Sequence, residues 1–191
     1  MEKIILTDID DTILHWAEGF TDFISKKGID IPVKPLHQSM NVGEWLKIDD
    51  HEENNIILEF HFNEVFSNLR PYDCALTVLP KLKNMRYTFV AISAANNDKP
   101  TWEFRKTNLE KFFPNIFSDI IHTGWTANSP KINYLKQYDS SIWIEDNYHN
   151  AIDGLKCNHS TFLIERKYNK FCRNDDIIYV TDWNDIFHRI K

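Results

Sequence analysis

The stretch Lys3 to Trp16 reads KIILTDIDDTILHW. Three apolar residues, Ile4 to Leu6, run directly into the carboxylates Asp8, Asp10 and Asp11. A second apolar run, in SSIWIEDN, ends in Glu145 and Asp146. If both runs are strands and the strands are neighbours, three or four carboxylates converge. Left alone they repel, and their pKa values rise. A hard cation resolves the conflict. Mg²⁺ takes a few carboxylates, keeps some of its waters and leaves room for a phosphate. A calcium loop starting at Asp8 fits less well, because its twelfth position is Gly19 rather than Glu.

Two further residues suit the same chemistry. VAISAAN is an apolar run closing on Ser93, whose hydroxyl can bind a phosphate oxygen. NSPKINYL reads as a helix start, with Ser129 as N-cap, Pro130 at the first position and Lys131 in the first turn. A cation there opposes the helix dipole, and a nearby anion would justify it. Taken singly, each feature has an ordinary explanation. An Asp after a strand is usually a turn or cap residue, and a lone Ser or Lys is usually solvated. Their occurrence together, in this order, is what points to a site.

The elements that must carry these residues follow from hydrophobic patterning. Strands are expected at Ile4–Thr7, Thr88–Ser93, Ile120–His122, Ser141–Glu145, Ser160–Ile164 and Ile177–Val180. Each is a nearly continuous apolar run, as expected of strands buried on both faces of a parallel sheet. Helices are expected between them, at Leu76–Asn84, Pro100–Phe112, Pro130–Tyr138 and Tyr148–Leu155. The alternation predicts a doubly wound, Rossmann-like α/β sheet. In such sheets ligands sit beyond the carboxyl ends of the strands, where Asp8 and Asp146 fall.

Residues 15–70 break the rhythm. They contain no good strand, and helical pieces at Trp16–Lys27, Val42–Leu46 and Glu59–Asn68. The interval reads as a small helical cap inserted after the first strand, over a core made of 1–14 and 71–191. It is rich in aromatics, most of them suited to a small helical core, with one or two free to line a pocket.

The 191 residues suffice for one α/β core plus an insertion. A net charge of −6 gives no general attraction to nucleic acid or to an anionic membrane. The most basic run, RKYNKFCR (166–173), reads as a solvated loop or a local phosphate contact. Cys74, Cys157 and Cys172 are odd in number and form no C-x-x-C pair, which argues for a reducing compartment. The opening MEKIILTD has no signal-peptide pattern, and no apolar run approaches the ~18 residues of a membrane span. NHS at 158–160 matches a glycosylation acceptor by chance in such a chain. A cytoplasmic setting is expected; the oligomeric state is left open.

These motifs resemble those of the haloacid dehalogenase (HAD) superfamily. Its first motif, a strand followed by Asp-x-Asp-x-Thr or Val, is matched by Asp8 to Thr12, its second by Ser93, its third by Lys131 and its fourth by Glu145 and Asp146. The resemblance implies Asp8 as nucleophile, Asp10 as general acid and then base, and Ser93 and Lys131 as ligands of the phosphoryl oxygens. It implies Mg²⁺ on Asp8, the backbone carbonyl of Asp10, and Asp146, with Glu145 ligating directly or through a neighbour. Two positions depart from the pattern: Asp11 replaces a frequent Gly, and Asn150 replaces a frequent Asp.

A closer resemblance links FSNLRPYDCAL (66–76), WIEDN (143–147), FLIERKYN (162–169) and VTDWNDI (180–186) to the 5′(3′)-deoxyribonucleotidase branch. That branch implies a nucleoside monophosphate substrate whose base stacks on cap aromatics, for which Phe20, Trp45 and Phe66 are candidates. Its usual Pro-Gly-Ala is Asp73-Cys74-Ala75 here. The alternatives are another small phosphate ester, such as a sugar phosphate, or a non-catalytic Mg²⁺- or nucleotide-binding protein.

Overall fold

The computed structural model describes residues 3–38, 41–96, 98–124 and 130–190. Six strands form one all-parallel sheet: β1 (Lys3–Thr7), β2 (Tyr87–Ser93), β3 (Phe117–His122), β4 (Ile142–Glu145), β5 (Ser160–Ile164) and β6 (Ile178–Val180). Their order is β3-β2-β1-β4-β5-β6. All six expected strands are present, with ends shifted by at most three residues.

In β1, β2, β4 and β5 the continuous apolar runs have the cause expected of them, burial on both faces, whereas the edge strands β3 and β6 are largely half-buried or exposed. Ile5, Phe89, Ala91, Ile144, Phe162 and Ile164 point into the larger core, with Val78, Leu79 and Leu82 of α4 (Asp73–Asn84) and Trp183 and Ile186 of α8 (Trp183–Ile190). Their alternating neighbours Leu6, Val90, Ile92 and Trp143 pack on the opposite side with Leu135 of α6 (Ile132–Leu135). Leu163 packs with Ala151 of α7 (Tyr148–Lys156). Gly154 lets α7 approach the sheet, since a Cβ there would lie 2.3 Å from Trp143 Cδ1.

Between β1 and α4 the described residues form α1 (Trp16–Lys26), α2 (Val42–Leu46), α3 (Asp50–His61) and short 3₁₀ turns at Leu36–Gln38 and Phe66–Asn68. The expected helix over Glu59–Asn68 is corrected. The helix runs earlier, from an Asp49 N-cap that accepts the Glu52 N–H, and stops at His61. Its sequence is so polar that only Ile57, Phe60 and His61 are buried. The helix α5 (Lys99–Phe112) follows β2, capped by Asp98, whose carboxylate accepts the Thr101 N–H at 3.0 Å. The expected helix at 130–138 contracts to α6, so Lys131 stands just before the first helical residue. Ser129 lies outside the described residues. The terminal helix α8 had no counterpart among the expected elements.

Candidate active site

The β1–β4 pairing, with Thr7 opposite Ile144, sets the carboxyl ends of the two strands side by side. The Asp8 N–H continues the ladder onto the Ile144 carbonyl at 2.9 Å. On the other flank, β2 is also hydrogen-bonded to β1 and ends at Ser93. Three of the four anticipated motifs therefore meet at one edge because of strand order. Lys131 arrives from the segment before α6.

Carboxylate oxygens of Asp8, Glu145 and Asp146, all buried, lie within 4.8 Å of one another. Lys131, only 3% exposed, sits between two of them: its Nζ donates to Asp8 Oδ1 and, at 2.7 Å, to Glu145 Oε1. This is the anion that its place at a helix start required. Burial pushes Asp8 up to about 7; the neighbouring Glu145 and Asp10 add to this, and Lys131 opposes it. Asp146 is raised well above the carboxylate range by burial, then by Glu145 and Asp8. Burial also acts against the charge on Glu145, but Lys131 and backbone N–H groups outweigh it and hold its pKa low.

Glu145 has its hydrogen-bonding capacity committed to protein donors. Oε1 accepts from Lys131 and from Asn150 Nδ2 at 2.7 Å, while Oε2 accepts the N–H groups of Asp146 (2.7 Å) and Asn147 (2.8 Å). It holds Lys131 while remaining within 4.8 Å of the carboxylate oxygens of Asp8 and Asp146. Asn150, where the resemblance leads one to expect Asp, supplies one of those donors. The all-oxygen set of Asp8, Glu145 and Asp146, buried and mutually repulsive, fits a hard divalent cation.

Asp10 is turned differently. Its Oδ1 accepts from Arg105 Nη2 at 2.5 Å and its Oδ2 from the Ser93 hydroxyl at 3.2 Å. Arg105, on α5, is fully buried and stacks its guanidinium over the Phe66 ring at 4.1 Å. Sequence reading did not single it out. Its one signal is that the inward stripe of α5 (Thr101, Arg105, Asn108, Leu109) is mostly polar.

Asp11 adopts a left-handed backbone, φ 56°, which explains why glycine suits this position. Here its carboxylate also accepts the Ala17 N–H in the first turn of α1 at 3.1 Å. Thr12 donates to Asp146 Oδ1 at 3.1 Å, and its carbonyl accepts the Trp183 indole N–H at 2.9 Å. The β1 turn is thereby tied to β4 and α8.

A cavity of about 310 Å³ opens at this edge. Asp10, Asp11, Asp146, Asn147 and Tyr168 line its sheet side, and Trp16, Leu36, Val42, Glu53, Ile57 and His61 its helical side. Asp8, Ser93 and Lys131 are buried and are not on its wall. The proposed base-stacking residues are corrected. Phe20 is fully buried in a cluster with Trp16, Phe23 and Phe60, Phe66 lies fully buried under Arg105, and Trp45 is buried with its indole N–H on the Lys34 carbonyl. All three serve packing. The aromatic residues on the cavity wall are Trp16 and Tyr168. Trp16 stacks parallel to Phe20 with centroids 5.0 Å apart.

No family model matches the chain. An uncharacterized 32.4 kDa protein of Enterobacteria phage T4, from the Gp30-rIII intergenic region, is 25% identical over 202 residues, covering 100% of this chain and 70% of its own length. Among solved structures, a predicted phosphatase from Clostridium acetobutylicum superposes with a TM-score of 0.70 at 20% identity, covering 100% of this chain and 98% of its own. The HAD-hydrolase YfnB of Bacillus subtilis, solved bound to magnesium, gives 0.66 at 14% identity over 99% and 98% of the two chains. CbbY of Rhodobacter sphaeroides, in complex with phosphate, gives 0.63 at 13% identity over 97% and 96%. At these identities the likeness is one of fold: the chain has the α/β architecture of solved HAD-superfamily hydrolases. None of the helices formed by the described residues is long and apolar enough to cross a membrane.

Proposed function

We propose that this chain is a Mg²⁺-dependent phosphomonoesterase of the HAD superfamily, with residues 15–70 as a cap over the core. The observation that carries the reading is the buried Asp8, gripped by Lys131 and set against Asp146, at the carboxyl edge of neighbouring central strands.

An oxygen of Asp8 attacks the phosphorus of the ester, and the bond from phosphorus to the leaving oxygen breaks. Asp10 gives that oxygen its proton. Asp10 then takes a proton from water, the water oxygen attacks the aspartyl-phosphate, and inorganic phosphate departs with Asp8 restored. Lys131 and Ser93 hold the phosphoryl oxygens as charge gathers on them. Asp8, Asp146 and the Asp10 carbonyl would hold Mg²⁺, which supplies charge neutralisation between the carboxylates and the incoming phosphate. Glu145 keeps Lys131 in place.

The leaving group is a nucleoside in the reading favoured here, so that the substrate is a nucleoside monophosphate. The motifs shared with 5′(3′)-deoxyribonucleotidases support this, and so does Trp16, an aromatic on the helical wall of the cavity, opposite the carboxylates. A panel of ribo- and deoxynucleoside 5′- and 3′-monophosphates, sugar phosphates and an aryl phosphate, each with Mg²⁺ and with EDTA, tests it. Mg²⁺-dependent release favouring deoxynucleotides, lost in D8N, is expected. Turnover only of sugar phosphates would retain the chemistry and remove the nucleotidase assignment. Binding of Mg²⁺ and nucleotide without turnover would leave a binding protein.

A further inference from the structure

The sequence of the basic segment after β5 suits a solvated loop or a local phosphate contact, and the proposed chemistry leaves it without a task. Three of its side chains, those of Arg166, Tyr168 and Asn169, nevertheless reach the two acidic turns. Tyr168 donates its hydroxyl to Asp146 Oδ2, on the opposite oxygen from Thr12. Asn169 donates Nδ2 to the Asp146 carbonyl at 2.7 Å and to the Ile164 carbonyl at 2.9 Å. Arg166 donates Nε to the Asp11 carbonyl at 3.2 Å, and its guanidinium packs over the Tyr72 ring at 4.7 Å. The loop is itself braced, since the Arg166 N–H donates to Asn169 Oδ1 at 2.8 Å. Tyr168 is half-buried and lines the cavity, whereas Asn169 is buried.

We propose that the 165–169 loop is the positioning element of the metal site, with Tyr168 orienting the Asp146 carboxylate and Arg166 anchoring the turn that carries Asp8 and Asp10. This rests on the reading of Asp8 and Asp146 as Mg²⁺ ligands. The physical argument is geometric. A ligating carboxylate must present a fixed lone pair, and a carboxylate free to turn on its side-chain bonds does not. Thr12 and Tyr168 grip Asp146 by one oxygen each, so one lone pair per oxygen remains for the space shared with Asp8. Arg166 and Asn169 fix the backbones on which the two ligands are mounted. Outer-shell partners of this kind are worth about 10–100-fold in metal affinity.

The test is Mg²⁺ binding by calorimetry to the full chain, comparing wild type, Y168F and R166M, with thermal unfolding in EDTA alongside. Y168F removes one hydroxyl and keeps the ring. It is expected to weaken Mg²⁺ binding about tenfold or more while the Tm in EDTA stays within about 2 °C of wild type. R166M is expected to weaken binding as well. Equal Mg²⁺ affinity in all three proteins overturns the proposal and leaves the metal reading standing. Weaker binding that appears only with a large fall in the EDTA Tm overturns it too, by making the loop a structural brace. A wild-type chain that takes no Mg²⁺ overturns the proposal together with the reading beneath it.

Discussion

Arg105 and Asp10, 95 residues apart in sequence, form an ion pair in which the guanidinium is fully buried and the carboxylate side chain is 24% exposed. The arginine meets Asp10 from α5, behind the cavity, and Phe66 packs against its flat face. The pair orients the carboxylate to which the proposed mechanism gives the proton transfers. Removing Arg105 should therefore hurt most where the leaving group needs that proton. R105M is expected to lower kcat on an alkyl phosphate about 10²-fold, but on an aryl phosphate with an acidic phenol less than about tenfold. In a D10N background the same change should add little, since the two residues act as one unit. Equal losses on both esters, undiminished in D10N, would show that Arg105 only supports the fold.

Lys131 lies between Asp8 and Glu145 with 3% of its surface exposed. K131M deletes the cation and leaves two buried carboxylates facing each other. Breaking such a buried arrangement from one side costs about 3–5 kcal/mol. Urea unfolding in EDTA should show a loss of that order. Added Mg²⁺ should return part of it, because a divalent cation replaces the lost charge, while turnover stays low. If K131M unfolds at the wild-type urea midpoint in EDTA, the pair contributes nothing to stability.

His61 and His122 give the fold a pH dependence of known sign. Burial, with Arg105 as the next contributor, lowers His61 to about 3 and His122 to about 4 from the ordinary 6.5. Both rings are neutral in the fold and take up a proton on unfolding below about pH 6.5. Their contribution to stability is thus complete above that pH and is lost as pH falls, at about 1.4 kcal/mol per pH unit for each ring. Asp8 and Asp11, raised to about 7, act in the opposite sense, since they gain protons on folding and lose that stability as pH rises through 7. The informative quantity is therefore the difference between wild type and H61Q or H122Q, measured in EDTA from pH 7.5 to 5. Each variant should hold its stability better than wild type on the acid side; parallel curves would refute the assignment.

The sequence legibility of this molecule divides along a physical line. The four inner strands β1, β2, β4 and β5 were readable because they are buried on both faces, so Phe162, Leu163 and Ile164 are apolar in succession although they point to alternate sides; the edge strand β3 carries the exposed Ser118 and Asp119, and only its last half read as a strand. The carboxylates at the strand ends were readable because strand ends in such sheets face ligands. Whatever depends on contacts between distant segments was not readable. Arg105 looks like any helical arginine until α5 is set beside Asp10, and Tyr168 looks like a loop tyrosine until β5 is set beside β4. The helical interval was the least legible. Its aromatics were visible, but which ring faces the cavity depends on how α1 and α3 pack. That packing buried Phe20 and Phe66 and left Trp16 on the wall. Position α3 was misjudged because Asp50–His61 carries little apolar signal.

Trp16 supplies the last prediction, about substrate choice. It lines the cavity from the first turn of α1, backed by the parallel ring of Phe20, and Phe60 meets it edge-on at 5.5 Å. A ring braced on one side loses little entropy when a flat group stacks on the other, and such stacking is worth roughly 1–3 kcal/mol per base. W16A should accordingly reduce kcat/KM for a nucleoside monophosphate about 5- to 100-fold, mainly through KM, because the base is held equally before and during phosphoryl transfer. The same variant should change kcat/KM for a small alkyl phosphate less than about threefold, since nothing in that ester reaches the indole. W16F should recover most of the nucleotide activity, because it restores an aromatic face. If W16A loses activity equally on both substrates, the ring supports the architecture of the site and the leaving group is not a flat base.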